Sequence, residues 1–124
     1  MSNAARSVFV FAIYLFVLGL VLMVAPNILL ALFAFPSTSE VWIRVAGMLL
    51  LFLGFYYSQA ARKEMTDFFH WTVYVRSTVI LFFALFVVLG FAGPPLILFG
   101  AIDLLGAIWT AFSLRSSQRL AAQT

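Results

Sequence analysis

Cysteine is absent from the 124-residue chain, which excludes a disulfide framework, a thiolate nucleophile and any Cys-ligated metal or cluster. Histidine is nearly absent too: His70 stands alone, with no second imidazole to build a metal site. Charge is scarce, at 9% of residues against about 25% in ordinary soluble domains. In its place stands apolar matter, 65% of the chain with 15 Phe and 3 Trp, at a mean hydropathy of +1.15. A core this small cannot hide so much from water, so the surrounding solvent must be largely lipid. A phosphate-cradling glycine loop, a GxSxG elbow and a catalytic carboxylate pair are also missing. The chain therefore reads as non-enzymatic, with no cofactor and no metal. Its net charge of +3 comes from basic residues too scattered for a nucleic-acid footprint, and no nucleic acid partner is expected. No secretory leader is expected either, because the first apolar run is longer than the 7–15 residues of an h-region.

What is there is four apolar runs, each close to the roughly 17–25 residues a spanning helix needs. They predict an all-α, four-transmembrane-helix bundle in a single domain over 1–124, with helices at about 8–25, 39–60, 70–92 and 95–115. Pro26 removes a backbone donor and restricts Ala25, so the first helix should stop there, followed by a short interfacial helix over 27–35. Ser37-x-x-Glu40 has the pattern of a capping box for the second helix. Gly93-Pro94-Pro95 makes the last tight turn, and residues 58–70 read as a charged central loop with a short surface helix. Arg6, Arg62, Lys63, Arg115 and Arg119 fall with the termini and that loop, against Arg44 on the other side. By the positive-inside rule both termini are cytoplasmic in a multi-pass protein of the cell inner membrane. Tyr56, Tyr57, Trp71, Tyr74 and Trp109 fit an aromatic belt at one boundary and Trp42 at the other.

Three ionisable residues interrupt the apolar runs: Arg44, Arg76 and Asp103. Such groups are costly in lipid and should face the bundle interior, a partner or water. At 100° per residue, Arg44 shares a stripe with Gly47 and Gly54, Arg76 with Thr72, and Asp103 with Gly100, Gly106, Ala107 and Thr110. At about 1.5 Å per residue, Arg44 lies roughly 5 Å and Asp103 roughly 12 Å inside the same boundary, so these two are the expected pair. Glu40 precedes Arg44 by four residues, a favourable order for an ion pair. Glu40, Arg44 and Asp103 thus form the expected polar cluster, as a structural clamp, the polar end of a lipophilic-ligand pocket or a transport element. Arg76, a secondary candidate, is expected to snorkel to headgroups from about 6–8 Å inside the cytoplasmic boundary.

Leu18-Gly19 in the first helix, Arg44-x-x-Gly47 with Leu53-Gly54 in the second and Leu104-Leu105-Gly106 in the fourth give the chain a pattern that resembles the small bacterial DoxX-like membrane proteins. That resemblance implies a four-helix bundle, and some members are associated with quinone-linked respiratory complexes. No catalytic residue carries over from it. The reading favoured is a non-catalytic integral membrane protein in the lipid bilayer. It would serve as an accessory, assembly or homo-oligomer-forming subunit of a larger complex and hold a lipid or quinone-like small molecule between its helices. The alternative is a small proton-linked transporter using Asp103.

Overall fold

A computed structural model describes residues 1–123; Thr124, the last residue of the expected domain, lies outside the described residues. Five helices follow one another, α1 Asn3–Val24, α2 Pro26–Leu32, α3 Trp42–Arg62, α4 Thr66–Val88 and α5 Leu96–Gln123, with no strand among the described residues. α1, α3, α4 and α5 are each long and apolar enough to cross a membrane.

Every long helix begins or ends beyond its apolar window, because polar residues supply the terminal turns. Ser2 caps α1, its Oγ accepting from the Ala5 amide at 3.0 Å, so that helix starts at Asn3 rather than near residue 8. Pro26 divides α1 from α2 and occupies the first turn of the latter, where its missing N–H is harmless. The expected central loop shrinks to three residues: α3 continues to Arg62 and α4 already starts at Thr66. α5 meets neither Pro nor Gly after residue 106 and runs on to Gln123, past the expected end near 115.

Three of the chain reversals share one closure. After α2 the Phe35 amide bonds Leu30 O and Ala34 bonds Ala31 O; after α3 Met65 bonds Ala60 O and Glu64 bonds Ala61 O; after α4 Phe91 bonds Phe86 O and Gly90 bonds Val87 O. This is the Schellman pattern, which needs a left-handed residue. Gly90 adopts it freely at φ 81, whereas Ala34 (φ 60) and Glu64 (φ 53) carry side chains there.

The capping box does not form. Asn27 holds Thr38 by two bonds, Nδ2 to Thr38 O at 3.1 Å and Thr38 N to Oδ1 at 2.9 Å, while Thr38 Oγ1 accepts from the Glu40 amide at 3.1 Å. With Thr38 committed to that pairing, residues 37–40 form no helical turn. α3 is nucleated later, with Val41 as its cap.

α1 lies at the centre, packing most extensively on α3 and also on α5, while α4 and α5 form a second pair; α3 has no substantial packing on α4 or α5 along the spans. The α1–α3 crossing is backbone against backbone: a Cβ on Gly47 would sit 2.6 Å from Gly19 O and 2.9 Å from Met23 N, and one on Gly19 would sit 2.6 Å from Gly47 O. Small residues allow such an approach, which lets van der Waals contact substitute for the hydrophobic drive missing in lipid. The apolar core, with Ala4, Ala5, Val8, Phe11, Ala12, Leu15, Ala60, Ala61 and Phe69, gathers at the end that carries the N-terminus and the α3–α4 turn. The outward faces are dominated by large apolar side chains, among them Val17, Leu20, Phe52, Phe82 and Leu105.

Candidate functional site

Arg76 is the feature around which the polar interior is built. Because α4 starts at Thr66, Arg76 sits about 15 Å from the first residue of its helix, and its guanidinium turns inward onto α1 and α5. It is buried, at 2% exposure, which corrects the expectation that it snorkels. Its Nη2 donates to Thr110 Oγ1 at 2.8 Å and to Thr72 Oγ1 at 3.1 Å, and its Nε to Thr72 O at 3.3 Å. The guanidinium carbon lies 4.8 Å from the centroid of the Phe11 ring and 5.9 Å from that of Tyr57, so ring faces supply part of the stabilisation that a counter-ion would otherwise give. Tyr57, read from the sequence as part of an aromatic belt, is instead buried against Phe11 and, edge-on, Phe68.

The network continues into α1 and α5. Ser7 Oγ and Thr110 Oγ1 are 2.7 Å apart; Ser7 also reaches Ala4 O at 2.6 Å and Thr110 reaches Gly106 O at 3.1 Å. Two hydroxyl protons therefore serve three oxygen contacts. Thr110 remains an acceptor for the cation in every arrangement, because a hydroxyl oxygen has two lone pairs besides its proton. One donor is left over: Arg76 Nη1 is buried without a hydrogen-bond partner. It faces α5 at Gly106, where a Cβ would lie 3.1 Å from it and 3.1 Å from the Phe11 ring edge.

The expected cluster of Glu40, Arg44 and Asp103 is not assembled. Arg44 Nη1 donates instead to Met23 O and Val24 O. These carbonyls end α1 just before Pro26, whose missing N–H leaves the turn short of donors, and a cation there also favours the helix dipole. Arg44 thus clamps α3 to the end of α1. Glu40 is exposed, and its amide rather than its carboxylate is engaged. Among the described residues no ion pair joins either carboxylate to Arg44.

Asp103 lies half-buried on the wall of a cavity of about 340 Å³. Leu15, Leu18 and Leu22 of α1, Leu29 and Leu30 of α2, Ile43, Ala46 and Leu50 of α3, and Phe83, Leu96 and Phe99 from α4 and α5 make the lining apolar. Among the described residues that line it, Tyr14 and Asp103 alone carry side-chain oxygens. No group among the described residues donates a hydrogen bond to Asp103, although it and Arg76 interact electrostatically through the protein. The cavity exists because α3 leans on α1 and leaves α4 and α5 free of it, and α2 folds across one end, with Phe33 packed on Phe99 at 4.8 Å between ring centroids.

At the opposite end the Glu64 carboxylate receives the Ser2 amide at 2.6 Å and the Ser2 hydroxyl at 2.7 Å. Those hydrogen bonds favour the charged form and hold the Glu64 carboxyl below its ordinary value. This ties the start of α1 to the α3–α4 turn. His70 borders a shallow surface depression with Tyr74 and Arg115, and among the described residues no three His, Asp or Glu side chains gather as a metal site.

The sequence stripes placed Thr72 with Arg76 and Thr110 with Asp103. What sequence reasoning missed was Ser7, Phe11 and Tyr57, residues that look like ordinary members of an apolar helix. Their signal was the small-residue spacing Ala4, Ser7 and Ala12, which allows close approach of α5 and α3 to α1. Comparison with known proteins yields no matching family, no matching curated protein and no matching solved structure.

Proposed function

We propose that this chain is a non-catalytic, multi-pass protein of the bacterial inner membrane that holds a lipophilic small molecule between its helices. In this reading it serves as an accessory or oligomer-forming subunit, with both termini and the α3–α4 turn in the cytoplasm. The observation that carries it is the cavity of about 340 Å³, within the range of small-molecule sites and lined by apolar residues with one carboxylate. The gap between α3 and the α4–α5 pair gives a bilayer molecule a sideways route to it. The bias of Arg6, Arg62, Lys63, Arg115 and Arg119 toward the terminal end supports the orientation, and the DoxX-like pattern of Leu-Gly motifs is compatible with a lipid- or quinone-associated role.

Native mass spectrometry of protein extracted gently from its own membranes tests the reading. A retained lipophilic mass is expected, lost or much reduced in Ala46→Phe, which fills the cavity wall; wild-type spectra that are consistently ligand-free overturn it. The second reading, a proton-linked carrier, is favoured by Asp103, the one acidic side chain among the described residues on the cavity wall. It requires a pH-gradient-driven flux in liposomes that Asp103→Asn abolishes without unfolding the protein.

A further inference from the structure

The cavity beneath α2 has a carboxylate in its wall and no cation to meet it. Among the described residues that line it, Asp103 carries the one charge, and every other side chain except Tyr14 is hydrocarbon. The Asp103 carboxylate receives no hydrogen bond from a described residue, and none of the described cations lies close enough to pair with it. Arg76 acts on it electrostatically through the protein but is committed to Thr72 and Thr110 and does not border the cavity. Arg44 is committed to the carbonyls that end α1. A carboxylate without a partner in an apolar wall is expensive, and the cavity is the space from which a partner can be supplied.

Resting on the ligand-holding reading above, we propose that the occupant of this cavity is a lipophilic amine, its ammonium donating to the Asp103 carboxylate and its hydrocarbon chain lying along Leu18, Leu22, Leu50 and Phe83. Charge complementarity selects the head. Opposite charges attract more strongly in a low-dielectric wall than in water. An ammonium brings three donors and no acceptor to a wall whose side chains offer a carboxylate and, from α1, the Tyr14 hydroxyl oxygen. A phosphate or carboxylate head is repelled by Asp103, which keeps anionic bilayer lipids out of the site. An alcohol donates one bond without a charge, and a ketone or ester oxygen brings no donor at all. The Arg76 charge opposes an ammonium, but because Arg76 does not border the cavity, a head touching Asp103 is nearer to the attracting charge than to the repelling one.

The test uses the full chain, delipidated in a non-ionic detergent, and probes that share one saturated chain and differ only at the head: the primary amine, the alcohol, the carboxylate and the bare alkane. Binding is read by native mass spectrometry. The amine is expected to bind about tenfold more tightly than the alkane in apparent Kd, the equivalent of about 1.4 kcal/mol; dehydration of the ammonium cancels the rest of the Coulombic gain. The alcohol should fall between them and the carboxylate should bind least. Asp103→Asn, close in size and without the charge, is expected to remove the advantage of the amine while alkane binding persists. Should that variant fail to fold, Ala46→Phe, which fills the cavity wall, is expected to lose amine and alkane together, and amine binding retained there overturns the assignment. An amine bound no better than the alkane, an alcohol or carboxylate bound more tightly than the amine, or an amine preference that survives Asp103→Asn overturns the headgroup assignment and leaves the cavity reading standing. Failure of every probe, the alkane included, overturns both.

Discussion

Thr110 bears more of the interior than its size implies, since one hydroxyl oxygen accepts from Arg76, meets Ser7 and reaches the Gly106 carbonyl. Thr110→Val keeps the volume and removes the oxygen, leaving Arg76 Nη2 with Thr72 Oγ1 as its one acceptor. Hydrogen bonds to charged groups contribute about 1.5–3 kcal/mol, so a loss of about 2 kcal/mol is expected in denaturant unfolding in micelles. Ser7→Ala removes two neutral contacts and no bond to the cation, and should cost about half as much. Equal costs for the two would mean that the cation does not depend on Thr110. That Arg76 would share a face with Thr72 was legible from helical spacing. Its inward turn was not, because the partners that bury it, Thr110, Phe11 and Tyr57, lie on other helices, and helical spacing within one segment does not say which helices touch.

Between elements, the α1–α3 crossing depends on two glycines whose backbones touch. In Gly47→Val the new side chain meets Gly19 O and Met23 N, neither of which can rotate away, so the helices must separate along their length. Overpacking of this kind costs about 1–3 kcal/mol. Gly54→Ala, whose Cβ would lie 3.2 Å from Ala12 O, should be milder, and thermal melts that reverse this order would contradict the crossing. The Glu64–Ser2 contact adds a pH-dependent tie at the other end. Because the folded carboxyl is held below its ordinary value of 4.5, its contribution is complete above that value and disappears as pH falls through the lower folded value. The difference in Tm between wild type and Glu64→Gln should therefore be largest near neutrality and close up in acid; a difference independent of pH would assign the tie to something other than the charge. Helix number and the Pro26 break were readable because length and hydropathy fix them. The α3 start was not, since Ser37-x-x-Glu40 satisfies the local pattern of a cap while Asn27, far back in sequence, claims Thr38 for another pairing.

For the molecule as a whole, the pairing of α1 with α3 and of α4 with α5, joined where α1 packs on α5, divides labour between a packed end and a hollow one. The packed end holds Arg76, Ser7 and Thr110 among small residues, and the hollow end holds the cavity under α2. Sequence reasoning reached the four spans and their amphipathic stripes, but whether a stripe meets another helix or empty space depends on which helices touch. Lipid-facing and partner-facing apolar surfaces look alike in composition. The Arg76–Thr110 bond also bears on how the chain is made. Synthesis delivers α4 before α5, so when α4 leaves the ribosome its arginine has Thr72 but not Thr110, and an arginine at the centre of a span opposes integration by about 2.5–3.5 kcal/mol. α4 is therefore expected to wait at the translocon and to pass into the bilayer together with α5 as one hairpin. In a chain truncated after residue 92, a cysteine introduced by Phe82→Cys should stay reactive to a water-soluble thiol reagent, whereas in the full chain it should be protected.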